Sequence, residues 1–151
     1  TCSQVRNAAY MNWQFKNDDG WIKVICMEGD EVVGYALLSQ RKFQEGGRLS
    51  GVMVTSIIDI LWDFRRQDVL RSMLRWIERF ARDKKSDVLI ASVNNKKAQR
   101  NLILKGYIKI PSTVYFAYHS ANPEISLSVC MDDWFVTRGD ADAAGSLGPE
   151  K

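Results

Sequence analysis

The chain is poor in the residues from which many catalytic and metal centres are built. It has one histidine, His119, in 151 residues. Ser-His-Asp and Cys-His units are therefore not expected, although His119 as a lone base stays open. An isolated His beside aromatic residues is more often structural or superficial. The three cysteines, Cys2, Cys26 and Cys130, are odd in number, widely spaced and without a CxxC pair. Such a set reads as free thiols in a reducing compartment, the cytoplasm, and argues against zinc or a disulfide framework. No apolar run reaches membrane-spanning length, and no secretory signal opens the chain. A large excess of one charge is also lacking. The net charge of +3 is too small to argue for nucleic acid by itself. What is present is an apolar fraction of 46% and a charged fraction of 26%, the balance of an ordinary globular domain. The length suits one core, and one domain is expected over 1–140. The chain begins at Thr1 rather than Met, as a fragment or a processed chain would.

Periodicity supplies the element order. "QVRNAAYMNWQF" reads as a short helix. "WIKVICM" and "EVVGYALLSQ" flank a Gly-containing turn and read as a β-hairpin. "VMVTSIIDILW" is a β-branched run suited to a central strand. Val69, Met73, Trp76 and Phe80 recur at helical spacing, with Leu70, Leu74 and Ile77 widening the stripe. That predicts a helix over 69–83 with Asp68 as N-cap. "DVLIASV" reads as a strand covered on both faces. Asn94 and Asn95 then open a lysine-rich helix, 95–105, that Gly106 ends. "YIKI", "TVYFAYH" and "DDWFVTR" read as further strands, and 141–151 as a flexible tail. The strand–helix–strand unit in the middle predicts parallel neighbours, strands 52–61 and 88–93, in a mixed sheet.

Asp59 stands out within "SIIDILW". Strict alternation places it with Thr55, Ile57 and Leu61. A carboxylate on a central strand is costly unless paired. Two readings stay open: a base whose pKa burial would raise, or a structural Asp paired with one of the arginines.

The element order, with Asn95, Ala98, Gly106 and Tyr107 in register for Asn-x-x-Ala and a later Gly-aromatic pair, resembles the GNAT superfamily of N-acetyltransferases over roughly Val32 to Tyr118. The resemblance implies an α/β (α+β) fold: a GNAT-like mixed central sheet with flanking helices around a parallel β-α-β core. It implies acetyl-CoA as a substrate, no metal, and direct transfer of the acyl group to a small-molecule or peptide amine. The central strand through Leu61 would offer backbone to pantetheine. Arg65, Arg66, Gln67, Asp68, Val69 and Leu70 would meet the pyrophosphate, with Asn95 and Ala98 beside the same arm. Asp59 would be the base. Asp68 and Leu70 replace the small residues of the family's phosphate loop, and Leu102 replaces its thiolate-protonating Tyr. Tyr107 and Tyr115 are the substitutes considered. A GNAT-fold binding module without catalysis is the alternative. "DDWFVTRGDAD" resembles the closing strand of a bacterial subset through Trp134, Thr137, Gly139, Asp140 and Asp142. As a calcium loop it fails, with Ala144 and Lys151 at ligand positions.

Since the family carries a strand and two helices before the hairpin, this chain is either the C-terminal part of a longer protein or has a reduced first segment. A homodimer is consistent with the resemblance; a membrane partner is not expected. Nucleic acid is set aside, because acids interleave "RRQDVLRSMLR".

All three cysteines are expected to be reduced and dispensable. Mass analysis of protein purified without oxidant checks this, and a bridge between any two would overturn it.

Overall fold

The computed structural model describes residues 2–3, 6–15, 20–44, 50–111 and 134–140. "TVYFAYH", His119, Cys130, Asp142 and the tail lie outside them. Contacts divide the chain into two compact units, 5–92 with 137–151, and 1–4 with 93–136.

The larger unit opens with α1 (Ala8–Gln14). Asn7 caps it, its side chain accepting from Tyr10 N–H at 2.8 Å. β2 (Ile22–Glu28) and β3 (Glu31–Lys42) form the expected antiparallel hairpin. β4 (Met53–Trp62) is antiparallel to β3, and β5 (Val88–Ala91) is parallel to β4, giving the order β2-β3-β4-β5. Helix α2 (Gln67–Asp83) links the parallel pair. The mixed sheet and its parallel core are thus those the sequence implied.

α2 buries Val69, Leu70, Met73, Leu74, Ile77 and Ala81. Trp76 is not in that stripe. It is 45% exposed and stacks on Phe80 at 5.4 Å, because it lies on the flank of the apolar arc. Asp68 is not the N-cap. The helix starts at Gln67, two residues earlier than expected, the cap position falls on Arg66, and no side chain caps there. α2 approaches β3 most closely at Gly34. A Cβ there would stand 3.0 Å from Met73 Cε and 3.1 Å from both Leu61 O and Val69 Cγ1. On the other face of the sheet, Phe15, Leu37 and Ile58 form a buried cluster with Met11 and Trp21 packed against it. β5 is not covered on both faces: Val88 is 39% exposed and the rest of the strand half-buried.

The register breaks once along β3 and β4. Leu37 pairs with Asp59 but Leu38 pairs with Ile57, which leaves Ile58 as a bulge. A bulge changes the parity of everything beyond it. Asp59 and Leu61 therefore lie with Leu37 and Tyr35, separated from Thr55 and Ile57, contrary to strict alternation.

In the smaller unit, β1 (Cys2–Ser3) runs parallel to β6 (Trp134–Phe135). α3 (Lys96–Leu104) is capped by Asn95, whose side chain accepts from Ala98 N–H at 3.1 Å. Asn94 is tied to Val136 by a bond in each direction, at 2.8 and 3.1 Å. Gly106 has φ +91°. Its N–H donates to Ile103 O and that of Tyr107 to Leu102 O, the Schellman pattern. "YIKI" is not a strand. No described strand pairs with it, and Ile108 and Ile110 are 87% and 73% exposed.

Among the described residues no helix is long and apolar enough to cross a membrane, and Cys26 is a free thiol.

Two substitutions test this packing by urea unfolding. Gly34→Ala is expected to cost about 1–3 kcal/mol, because backbone and two buried side chains crowd the new methyl. α2 ends in a second Schellman pattern, Ser86 N–H to Ala81 O and Lys85 N–H to Arg82 O, with Lys85 at φ +54°. Lys85→Gly is expected to stabilise by about 1 kcal/mol, by removing the left-handed Cβ penalty. Unchanged or lower stability would contradict that reading.

Candidate functional site

The bulge aims Asp59 at a buried polar cluster in the larger unit. The Asp59 side chain is 3% exposed and that of Arg6 4%. Arg6 Nε donates to Asp59 Oδ2 at 3.0 Å, and Tyr35 OH donates to the same oxygen at 2.6 Å. Asp59 Oδ1 accepts from Thr137 Oγ1 at 2.6 Å and from Ile60 N–H at 3.0 Å. A carboxylate has about four acceptor positions, and here four donors meet them. The second nitrogen of the fork, Arg6 Nη2, donates to Asp140 Oδ2 at 2.6 Å. Asp140 Oδ2 also accepts from Thr137 N–H at 2.8 Å, closing the 3₁₀ turn Arg138–Asp140.

Burial works to lower the Arg6 pKa, but the attraction of Asp59, then of Asp140, outweighs it, and the net shift is upward. Burial, followed by the charge of Asp59, pushes the Tyr35 phenol well up. Both groups therefore remain donors throughout the ordinary pH range. Asp59 is thus ion-paired with an arginine, the second of the two sequence readings. Its partner had no local signal: Arg6 lies 53 positions away. The only hint was the carboxylate itself, which had to be met by something.

The residues expected to hold pyrophosphate form the turn before α2 and the helix's first residues. Arg65 Nε and Nη2 donate to Asp63 at 3.0 and 2.9 Å, with the side chain 90% exposed. Arg66 donates to Glu28 at 2.8 Å and to Asp68 at 2.7 Å. Gln67 Nε2 donates to Phe64 O at 3.0 Å. The Arg66 bond, helped by the N–H groups of Asp68 and Val69, holds the Asp68 carboxyl down at about 2. Asp68 is thus a helix-end anion, as a phosphate would be, although it is not the cap. Val69 and Leu70 turn their side chains into the core, 4% and 1% exposed. The bulk of Leu70 therefore does not stand over the helix end. Leu61 is half-buried on β4.

Asn95, Ala98 and Tyr107 belong to the smaller unit. Asn95 is spent on the cap and Ala98 is buried; Tyr107 is half-buried, just past α3.

A backbone feature was not anticipated in detail. β4 runs to Trp62, but its ladder with β5 covers only Val54–Ile57. From Ile58 to Trp62 the edge of β4 on that side has no described strand beside it. The bulge sits where the ladder ends.

No protein-family model matches the chain, and no curated protein matches it by sequence. Solved structures do match. A tetramutant of the BH1408 protein from Bacillus halodurans is 14% identical, with 75% of each chain covered and a TM-score of 0.62. A probable acetyltransferase is 18% identical over 76% of each chain, with a TM-score of 0.53. An aminoglycoside acetyltransferase from an uncultured soil metagenomic sample is 15% identical, covering 78% of this chain and 77% of its own, also at 0.53. At these identities the likeness is one of fold alone: the mixed four-stranded sheet with flanking helices is the fold of these structures.

Proposed function

We propose that the chain binds an acyl-coenzyme A, with acetyl-CoA the expected donor, and passes the acyl group to an amine. The edge of β4 from Ile58 to Leu61, which has no strand beside it among the described residues, is the observation that carries this reading. A pantetheine arm is an extended chain with two amide groups, and a free strand edge recognises such a chain by main-chain hydrogen bonds. The α2 N-terminus follows β4 within a few residues; the helix carbonyls do not reach its first N–H groups, and those of Asp68 and Val69 now meet the Asp68 carboxyl. A pyrophosphate is the kind of anion such an end takes. Arg65 and Arg66 would turn to it from their present carboxylates. Those pairs are exposed, and exposed pairs are weak. Asn95 and Ala98 belong to the smaller unit and enter the proposal through the family pattern alone.

In the transfer step the amine nitrogen attacks the thioester carbonyl. A C–N bond forms, the C–S bond breaks, and the thiolate leaves with the electron pair. The nitrogen loses one proton and the thiolate gains one. Asp59 can take that first proton only if Arg6, Tyr35 or Thr137 yields an acceptor position. Tyr107 is the hydroxyl assigned to the thiolate.

A GNAT-fold binding module without catalysis is the second reading. The four bonds already accepted by Asp59 favour it.

Calorimetric titration with acetyl-CoA decides first. Asp68→Asn removes the charge at the helix end, keeps an acceptor for its N–H groups and frees Arg66 from one partner. It is expected to tighten binding about tenfold. If neither the native chain nor Asp68→Asn binds, the donor site is absent and only the fold remains. Binding without transfer to a panel of amines would select the second reading.

A further inference from the structure

Among the described residues the buried cluster contains two carboxylates, Asp59 and Asp140, and the Arg6 guanidinium that bonds both. Asp59 belongs to the sheet. Arg6 stands directly before Asn7, the cap of α1, so it travels with the N-terminal segment 6–15. Asp140 closes the 137–140 turn. We propose that Arg6 makes this cluster a one-way latch: the turn 137–140 can open while the segment 6–15 stays closed, but the segment cannot open without releasing the turn.

The asymmetry follows from charge. When the turn leaves, Asp140 goes into water with it, and Arg6 stays against Asp59 as a neutral pair. When the segment leaves with Arg6, Asp59 and Asp140 stay behind with no cation between them. Both touch Thr137, Asp59 through the hydroxyl at 2.6 Å and Asp140 through the N–H at 2.8 Å. Two carboxylates sharing one hydroxyl-bearing residue in a buried site repel strongly, and an uncompensated buried charge is among the costliest defects a fold can carry. The turn relieves this by opening. Tyr35 does not alter the count, since its hydroxyl is neutral and rides on β3.

Amide hydrogen exchange reads each segment separately. The reporters are Thr137 and Asp140 for the turn, and Met11 and Phe15 for the segment; Met11 donates to Asn7 O and Phe15 to Met11 O. Asp140→Ala is expected to leave Met11 and Phe15 within about twofold of the native rates. Arg6→Gln is expected to speed exchange at the turn and at α1 alike, by about tenfold or more. Adding Asp59→Asn to Arg6→Gln is expected to restore protection at the turn, because one carboxylate is then neutral. A merely steric role for Arg6 predicts no such rescue. The latch is overturned if Arg6→Gln leaves the turn protected, or if Asp140→Ala loosens α1 as much as the turn. Should Arg6→Gln fail to fold, native-state exchange of the unmodified chain in sub-denaturing urea gives the same decision. The turn must open at lower free energy than α1, and α1 opening while Thr137 stays protected would refute the proposal.

Discussion

A carboxylate in the middle of a hydrophobic strand has to be answered, and Asp59 imposes that demand on everything around it. Ile58 is fully buried and Ile60 is 4% exposed, so water does not supply the answer. The donors come instead from the N-terminal segment, the neighbouring strand and the C-terminal turn. Such a pair adds little net stability, because desolvation consumes most of the attraction, yet removing one partner costs about 3–5 kcal/mol. The cluster therefore contributes less to how stable the unit is than to which arrangement it takes. Phe15, Leu37 and Ile58 could tolerate small shifts; Arg6 between two aspartates cannot.

The ion pairs in front of α2 follow the opposite logic. Arg65 with Asp63, and Arg66 with Glu28 and Asp68, are exposed. Their partners can be exchanged with small loss. Burial thus separates two sets of similar-looking charges. One set is committed to the fold, while the other can exchange partners, and on the acyl-coenzyme A reading Asp68 is the group that would compete with the pyrophosphate.

Much of the fold was legible because it rests on local rules. The α2 stripe, the hairpin, the Asn95 cap and the Gly106 terminus each follow from a few neighbouring residues. Other features escaped, and three of them have a clear physical reason. The bulge at Ile58 has no marker in a run of β-branched residues, and one extra residue reverses the face of Asp59. The start of α2 was misplaced because an acidic residue suits a helix's first turn as well as its cap. Arg6 was missed because ion pairing across 53 positions leaves no spacing to read. "YIKI" fails differently. Its alternation is real, but a strand also needs a hydrogen-bonded neighbour, and none lies among the described residues.

The bulge finally divides β4 into two stretches with different surroundings. Its ladder with β5 ends at Ile57, and beyond it no strand lies beside that edge among the described residues. On the acyl-coenzyme A reading, such an edge would be recognised through its backbone and would need no particular side chain. The face that carries Asp59 is closed by four donors, so chemistry there requires the cluster to open. On the latch proposal the turn opens first, and its departure leaves Arg6 paired with Asp59 while removing the Thr137 hydroxyl from Oδ1. An acceptor position on Asp59 would then be exposed without separating the ion pair. In this fold, access to the carboxylate is therefore a question about the 137–140 turn rather than about the acidity of Asp59.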